Sequence, residues 1–453
     1  MSRLPPEILF SIFHRAIPPY PLLDTTLTRG SNSAWCQTLR FIQSILFVSR
    51  DWYNVAVTLL YQSICIRRFH QLGALRVTLC STSSAHLALL VKSIAIECHV
   101  LERHDDLFID HLQAILPRCS SLSTFAHNSA ARTPKHAVQV PAHVTHLILN
   151  DHGLKFFSIV RELKHTLLSF HLTICELHST SETIDMEKDS LPFLQSLSVT
   201  VTGSSKFQLL NALTHWAMPS LQRLTLALYC FSPPTRMLHK PEVESDILLF
   251  LVHCGGHLQQ LQILLGDIVF RPQTFKSVLS SCPNLQRIIL HPQTLHRNCW
   301  SNSDLADFFH PSLRHIDFTH LLWQLDTYDS SNLCLSKEYL PALESVRRFC
   351  NFPHELNQWL DDHPPTADTS TDCFVIDVFH HQLECVAGLY VWRFERDAVM
   401  DIDGGAYAGS FTVWSNSSDE DDEDYVSSSD DSNSSSYEVD EEWTTDDDDL
   451  HDL

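Results

Sequence analysis

Apolar residues recur at positions 1, 4 and 6 of a short phrase that repeats from about residue 90 to about residue 350. A well-formed example is Leu221-x-x-Leu224-x-Leu226. Positions 4 and 6 are two residues apart, so in an extended segment both side chains point to the same side. Each phrase therefore predicts a β-strand with one buried face. The phrases begin at Val91, Leu122, Val144, Leu167, Leu194, Leu221, Leu258, Leu285, Leu313 and Leu343.

The segments between the phrases have helical spacing, as in Leu209, Leu210, Leu213 and Trp216. This spacing predicts helices over 106–116, 156–163, 207–216, 247–252, 274–279 and 305–309. Phrases begin 22 to 37 residues apart, close to the period of about 20 to 29 residues that is typical of leucine-rich repeats. The sequence thus predicts an α/β fold with an irregular leucine-rich-repeat solenoid over residues 91–350. An ordinary α/β domain with coincidental leucines is the alternative.

Strand positions 3, 5 and 7 face away from the predicted core and would line the concave surface of such a solenoid, where partners commonly bind. Most of these residues are uncharged, which favours a protein partner held by hydrogen bonds and a few apolar contacts. Arg223 and Arg287 are the candidate hot spots. The predicted substrate-binding residues are Arg223, Thr225, Gln260, Gln262, Arg287, His291, His315 and Asp317.

The first 65 residues have a different pattern, which predicts three helices. Pro5 and Pro6 suit the first turn of a helix, and Glu7 suits its dipole. Apolar residues at helical spacing predict a second helix over Cys36–Val48. A third helix is predicted from Arg50, with Ser49 available as its N-cap.

Two segments of this region carry a family resemblance: Leu4-Pro5-Pro6-Glu7-Ile8-Leu9 followed by Ile12-Phe13, and Val48-Ser49-Arg50-Asp51-Trp52 followed by Leu60-Tyr61. They resemble the F-box, and with the repeats the chain resembles the F-box proteins with leucine-rich repeats of mushroom-forming fungi. The resemblance implies docking on Skp1, and through it on a cullin, in a ubiquitin ligase whose protein substrate the repeats hold. It implies Skp1 contacts, or the small core presenting them, at Leu4, Pro5, Ile8, Leu9, Ile12, Val48 and Trp52.

The predicted organisation has five parts. They are an F-box (1–65), a linker or first repeat helix (66–90), the solenoid (91–350), a C-terminal cap (351–414) that includes strands at 374–379 and 389–394, and an acidic tail (415–453). A three-helix cap covering the apolar end of the first repeat is the alternative for the N-terminal part.

Charge is concentrated at one end. The net charge is −23, yet 17 of the 54 acidic residues and none of the 31 basic ones lie after Trp414, which leaves −6 for residues 1–414. Apolar residues are too few in this tail to offset the entropy of ordering it, so disorder is predicted. Its expected role is solubility, with docking of basic partners or phosphorylation as the alternative.

The sequence shows no motif for phosphate binding, nucleophilic hydrolysis or zinc proteolysis, so no cofactor, metal site or enzymatic activity is expected. An enzyme would need its chemistry from residues 366–414. The 14 cysteines form no Cys-x-x-Cys pair and are expected to be reduced core residues. The 28 histidines are expected at the surface or on strand faces. Lys and Arg form no stripe, which disfavours nucleic acid.

No secretory leader or membrane-spanning stretch is evident. An intracellular protein, cytoplasmic or nuclear, with no membrane partner is therefore expected. Two functions follow from these patterns: an adaptor of a ubiquitin ligase, or a Skp1-independent leucine-rich-repeat scaffold whose acidic tail binds basic proteins.

Overall fold

The computed structural model divides the chain into two compact units, Met1–Ala398 and Val399–Leu453. The second unit, with the predicted tail, lies outside the described residues. The structure describes residues 4–17, 34–98, 100–127, 138–151, 156–174, 190–202, 206–229, 241–265, 270–290, 309–320, 340–350, 375–378, 381–386 and 389–394.

Three helices begin the chain: α1 (Pro6–Ala16), α2 (Ala34–Leu46) and α3 (Arg50–Gln62). Helix α1 starts at a proline and carries Glu7 in its first turn, as its sequence predicts. The Ser49 side chain caps α3 by accepting a hydrogen bond from the backbone N–H of Trp52 at 3.2 Å. Helix α2 lies two residues earlier than predicted at both ends. The three helices share a small core of their own, formed by Leu9, Phe13, Ile42, Ile45, Val55, Ala56 and Leu59.

The next part of the chain forms one parallel sheet of twelve strands, in which strand order follows chain order. Pairing of each strand with the next one along the chain is the arrangement of an α/β solenoid, which differs from the crossovers of a doubly wound sheet. The strands are β1 (Ser63–Ile66), β2 (Ser93–Ile96), β3 (Thr124–His127), β4 (His146–Asp151), β5 (Ser169–Ile174), β6 (Ser196–Thr202), β7 (Arg223–Tyr229), β8 (Gln260–Leu265), β9 (Arg287–Leu290), β10 (His315–His320), β11 (Ser345–Cys350) and β12 (Val375–Val378).

Helices between the strands cover one side of this sheet. They are α4 (Phe69–Cys80), α5 (Ala85–Ala88), α6 (Asp105–Ile115), α7 (Phe156–Leu163), α8 (Lys206–Leu213), α9 (Pro241–Cys254) and α10 (Pro272–Ser280). Their apolar faces join the inward strand residues in one continuous core. The predicted helices at 106–116, 156–163, 207–216 and 274–279 are confirmed within a few residues, whereas α9 begins six residues before the predicted 247–252. Residues 305–308 lie outside the described part of the chain, and Phe309 is not helical.

The repeated phrase keeps its register from strand to strand. Position 4 of successive phrases is paired directly, as in Leu224 with Leu261 and Leu261 with Ile288. Positions 1, 4 and 6 are buried in the complete phrases that begin at Val91, Val144, Leu167, Leu194, Leu221, Leu258 and Leu285. The predicted α/β fold is therefore confirmed in the described residues, and the structure adds that its repeated strands form a parallel sheet. The phrases share one register, so the leucines do not recur by coincidence.

Strand β1 was not predicted. Ser63 of β1 directly follows Gln62, the last residue of α3, and the strand pairs with β2. The sheet also continues beyond the predicted solenoid, because β12, which lies in the predicted C-terminal cap, pairs with β11. Further along, β13 (His381–Val386) and β14 (Leu389–Phe394) form an antiparallel pair.

Side-chain hydrogen bonds connect several turns to the turn of the preceding repeat. The residue just before position 1 often donates a hydrogen bond to a backbone carbonyl two or three residues before the previous position 1, at 2.5 to 3.2 Å. Such bonds help to satisfy the carbonyls of the turns, and the Cys119 carbonyl also accepts from the backbone N–H of Leu122 at 3.0 Å. The donors are His143, Thr166, Ser220, Asn284 and Ser312.

Candidate protein-interaction surfaces

Helix α1 has two apolar faces. Leu9 and Phe13 point into the core of the helical bundle and are buried. Leu4, Ile8 and Ile12, spaced four residues apart, remain 52%, 48% and 47% exposed. Ile8 and Ile12 therefore lie on one side of α1, and Leu4 lies just before the helix begins. We call Leu4, Ile8 and Ile12 the α1 face.

A second exposed apolar group lies in the turn between α2 and α3. Phe47 is 89% exposed and Val48 is exposed beside it. The neighbouring Trp52 is half-buried, and its ring meets the Phe13 ring edge-on with centroids 4.9 Å apart. This contact fixes the start of α3 against α1.

The residues predicted from the F-box resemblance thus fall into two groups. Leu9 and Trp52 belong to the bundle interior. The others are exposed: Leu4, Pro5, Ile8, Ile12 and Val48. The exposed Phe47 and Tyr53 were not predicted, although an aromatic residue directly before Val48 is a visible signal in the sequence.

The sheet side away from the helices carries the predicted substrate-binding residues. Register places four of them in one row, Arg223, Gln260, Arg287 and His315, each paired with the next. A second row contains Thr225, Gln262 and Asp317. His291 lies outside the described residues. We call the residues at positions 3, 5 and 7 the polar strand face.

Several of these side chains are less accessible than a binding surface suggests. Thr225, Gln262, Arg287 and Asp317 are buried, whereas Arg223, Gln260 and His315 are half-buried. Arg287 forms a buried ion pair with Asp317, donating from Nε to Oδ2. Thr225 donates from Oγ1 to Gln262 Oε1 at 3.4 Å. The Arg287 guanidinium is therefore already engaged by this chain.

Arg223 differs from Arg287. Within the part of the chain that the structure describes, its side chain has no hydrogen-bond or ion-pair partner. Its charge acts on His146, three strands away in the same row, whose pKa is lowered by burial and secondarily by Arg223. Between the two lie only the short side chains of Ser169 and Ser196.

The buried cysteines have unreactive thiols. Cys36, Cys65, Cys80, Cys98, Cys119, Cys254 and Cys282 are free thiols, and the last four of them are buried. Burial raises the pKa of both Cys119 and Cys282 to about 12, which keeps these thiols protonated and unreactive at neutral pH. No group of three or more potential metal-ligating side chains occurs among the described residues.

Across the described segments, every helix falls short of the length and apolar character needed to cross a bilayer.

Comparison with known proteins assigns no family to this chain. No protein-family model and no curated protein matches the chain. Among solved structures, the crystal structure of a TLR13–ssRNA13 complex is similar, with a TM-score of 0.32 and 13% sequence identity. The match covers 58% of this chain and 36% of that one, so this chain spans little more than a third of its length. The fold assignment rests on the sheet topology.

Proposed function

We propose that this chain is the substrate-recognition adaptor of an SCF-type (Skp1–cullin–F-box) ubiquitin ligase. The helical bundle docks a Skp1-like protein, and the repeats hold a protein substrate. The observation that carries the proposal is the α1 face, because three large apolar side chains remain half exposed on a bundle that has a core of its own.

Energetics favour a partner for this face. Burying a Leu or Ile side chain fully contributes about 1.5 to 3 kcal/mol, so each half-exposed residue of the α1 face could contribute about 1 kcal/mol on docking. The turn residues Phe47 and Val48 add further apolar surface. Such surface on a small bundle is typical of an interaction site.

A simple cap for the first repeat explains the bundle less well. The bundle does meet the solenoid, since α3 runs directly into β1 and Tyr61 packs against the solenoid core. The α1 face, however, stays exposed in the same chain. A cap would require these side chains to be covered by the repeat, so they are better explained by an external partner.

A binding assay with purified Skp1 tests the proposal. We expect the full chain to bind Skp1 and the double variant Leu4→Ala/Pro5→Ala to lose binding while its melting temperature stays unchanged, because both residues are exposed and Leu4 precedes α1. The matched control is Leu249→Ala/Val252→Ala, which removes exposed apolar side chains from α9 and should bind Skp1 normally.

Absence of Skp1 binding by the unaltered chain would overturn the adaptor proposal. The alternative is then the Skp1-independent scaffold whose acidic tail binds basic proteins. Residues 415–453, with 17 acidic and no basic side chains, supply the charge for that function. Their deletion separates the two, because it should leave Skp1 binding intact and abolish salt-sensitive binding of basic proteins.

A further inference from the structure

Two arginines of the polar strand face occupy equivalent positions in the repeat, and only one is neutralised. Arg287 is paired across the sheet with His315, and the residue two positions further along that strand is Asp317. Side chains two apart on a strand share a face. The Asp317 carboxylate therefore lies diagonally across from Arg287 and binds it.

Arg223 has the same register with a different neighbour. It is paired with Gln260, and the residue two positions further along that strand is Gln262. A neutral amide thus stands where the repeat of Arg287 has a carboxylate. The Arg223 guanidinium is half-buried, and no acidic side chain among the described residues pairs with it.

The strands around Arg223 offer no other counter-charge. From β5 to β9 they contain no Asp or Glu. The neighbours on the polar strand face are small hydroxyl residues, including Ser196 in the same row and the buried Ser198. The Ser198 hydroxyl has no hydrogen-bond partner in the described structure. The half-buried Ser196 can donate a hydrogen bond to an anion but cannot neutralise Arg223.

A partly desolvated guanidinium without a counter-charge is electrostatically complementary to a carboxylate. We propose that Arg223 binds an acidic side chain, Asp or Glu, of a protein segment that docks on the polar strand face. That carboxylate takes the role that Asp317 has for Arg287. The inference deepens the proposed function, on which its biological meaning rests, by giving the chemistry of the substrate.

Capture of degenerate peptide libraries tests this inference. Three biotinylated libraries differ only in a fixed central residue: Glu, Gln or phosphoserine. We expect the full chain to retain the Glu library at least about tenfold better than the Gln library, which is the magnitude of one charge-assisted hydrogen bond. Arg223→Gln should abolish this preference. The matched control is Arg271→Gln, which removes an exposed arginine next to α10 and should keep it.

A second pair of variants neutralises Arg223 without removing it. Gln262→Asp reproduces the Asp that lies diagonally across from Arg287, and Gln262→Glu keeps the shape of Gln262 and the acceptor for Thr225. Either substitution should place a carboxylate beside Arg223 and remove the preference for the Glu library. Melting temperatures identify a variant that fails to fold, and in that case Arg223→Gln against Arg271→Gln still decides.

Three results would overturn the inference: equal retention of the Glu and Gln libraries, equal loss in Arg223→Gln and Arg271→Gln, or unchanged preference in a folded Gln262→Glu. Retention of the phosphoserine library alone would replace the carboxylate by a phosphate group and also count against it. The assay contains no Skp1, so its failure leaves the Skp1 result unaffected, and a failed Skp1 assay leaves this one intact.

Discussion

At the residue scale, His127 is the least expected member of the core. It stands at position 6 of the phrase that begins at Leu122, a position that is apolar in most repeats. Its ring lies 5.7 Å from that of Phe108, and its Nε2 is buried without a hydrogen-bond partner in the described structure. His310 is also buried, with Nε2 3.0 Å from the carbonyl of Cys282. The expectation of surface or strand-face histidines is wrong for His310, and His127 lies on the buried face of strand β3.

Burial gives His127 a predictable effect on acid stability. Burial lowers its pKa from 6.5 to about 4. The unfolded chain therefore takes up a proton below pH 6.5 that the folded chain resists until about pH 4, so stability is complete above pH 6.5 and is lost as the pH falls. The expected loss from His127 is about 2 kcal/mol at pH 5. Urea unfolding at pH 7.5 and pH 5 measures it.

The variant His127→Phe should lose less stability between these two pH values, by about the same 2 kcal/mol. Phe suits the apolar site beside Phe108 and carries no titratable group. His86 provides the control, since its side chain is exposed and His86→Phe should leave the pH dependence unchanged. An equal pH dependence in His127→Phe and the unaltered chain would show that His127 is not the group responsible.

The buried pair of Arg287 and Asp317 makes a second prediction. Asp317→Asn leaves the Arg287 charge buried without its counter-charge, which costs about 3 to 5 kcal/mol. The exposed pair of Arg314 and Glu344, 3.7 Å apart, is the control, because Glu344→Gln should cost about 0 to 1 kcal/mol. Urea unfolding of both variants at neutral pH gives the comparison. Similar costs would mean that the Arg287–Asp317 pair is not isolated from solvent.

At the scale of single elements, adjacent residues of α1 separate folding from docking. Leu9 is buried in the bundle core, whereas Ile8 belongs to the α1 face. Leu9→Ala should destabilise the bundle by about 2 to 5 kcal/mol. Ile8→Ala should cost less than about 1 kcal/mol in stability and weaken Skp1 binding. Circular dichroism melting and Skp1 titration of both variants check the prediction, which is wrong if Ile8→Ala melts as early as Leu9→Ala.

The turn after α9 shows how closely neighbouring repeats approach. A Cβ on Gly255 would lie 2.4 Å from the carbonyl oxygen of Ser281 and 2.9 Å from Cys282 Sγ, while one on Gly256 would meet nothing within 4 Å. Gly255→Ala should therefore destabilise the solenoid by about 1 to 3 kcal/mol. Gly256→Ala should be nearly neutral. Thermal unfolding of the two variants tests this close approach of neighbouring repeats at Gly255. Equal melting temperatures would contradict the prediction.

The sequence pattern predicts elements well where the phrase is complete. Positions 4 and 6 must both be apolar because both enter the core, and this constraint is visible in the sequence. Strand β1 was missed although Tyr61-x-x-Ile64-x-Ile66 follows the phrase, because its position 1 is supplied by helix α3. The side-chain bonds between turns were missed as well, since a lone Ser, Thr, Asn or His before position 1 has no periodic signal that sets it apart from an ordinary turn residue.

The candidate surfaces were only partly predictable for a related reason. Register follows from the repeat, so the row of Arg223, Gln260, Arg287 and His315 could be placed from the sequence. The same register places Asp317 diagonally across from Arg287, but the sequence does not show that the two side chains meet or that both are buried. The helical spacing of α1 likewise gives two apolar faces without showing which one is covered.

At the scale of the whole molecule, the described part of Met1–Ala398 contains two hydrophobic cores in direct succession. The core of the helical bundle includes Phe13, and the solenoid core includes Leu224 of the central strand β7. Contacts in a solenoid are made chiefly between neighbouring repeats, so stability is divided along the chain. Damage to one core should therefore spread only as far as its direct neighbours.

Hydrogen exchange of Phe13→Ala and Leu224→Ala tests this division. Each variant removes a buried side chain, at a cost of about 2 to 5 kcal/mol. Phe13→Ala should lose protection in α1, α2 and α3, because the bundle core is small, and keep it in β4 to β8. Leu224→Ala should lose protection first in β6, β7 and β8 and keep it in the bundle. If Phe13→Ala instead removes protection from the central strands, the bundle folds as one unit with the solenoid. The α1 face would then not be a docking site on a separate domain.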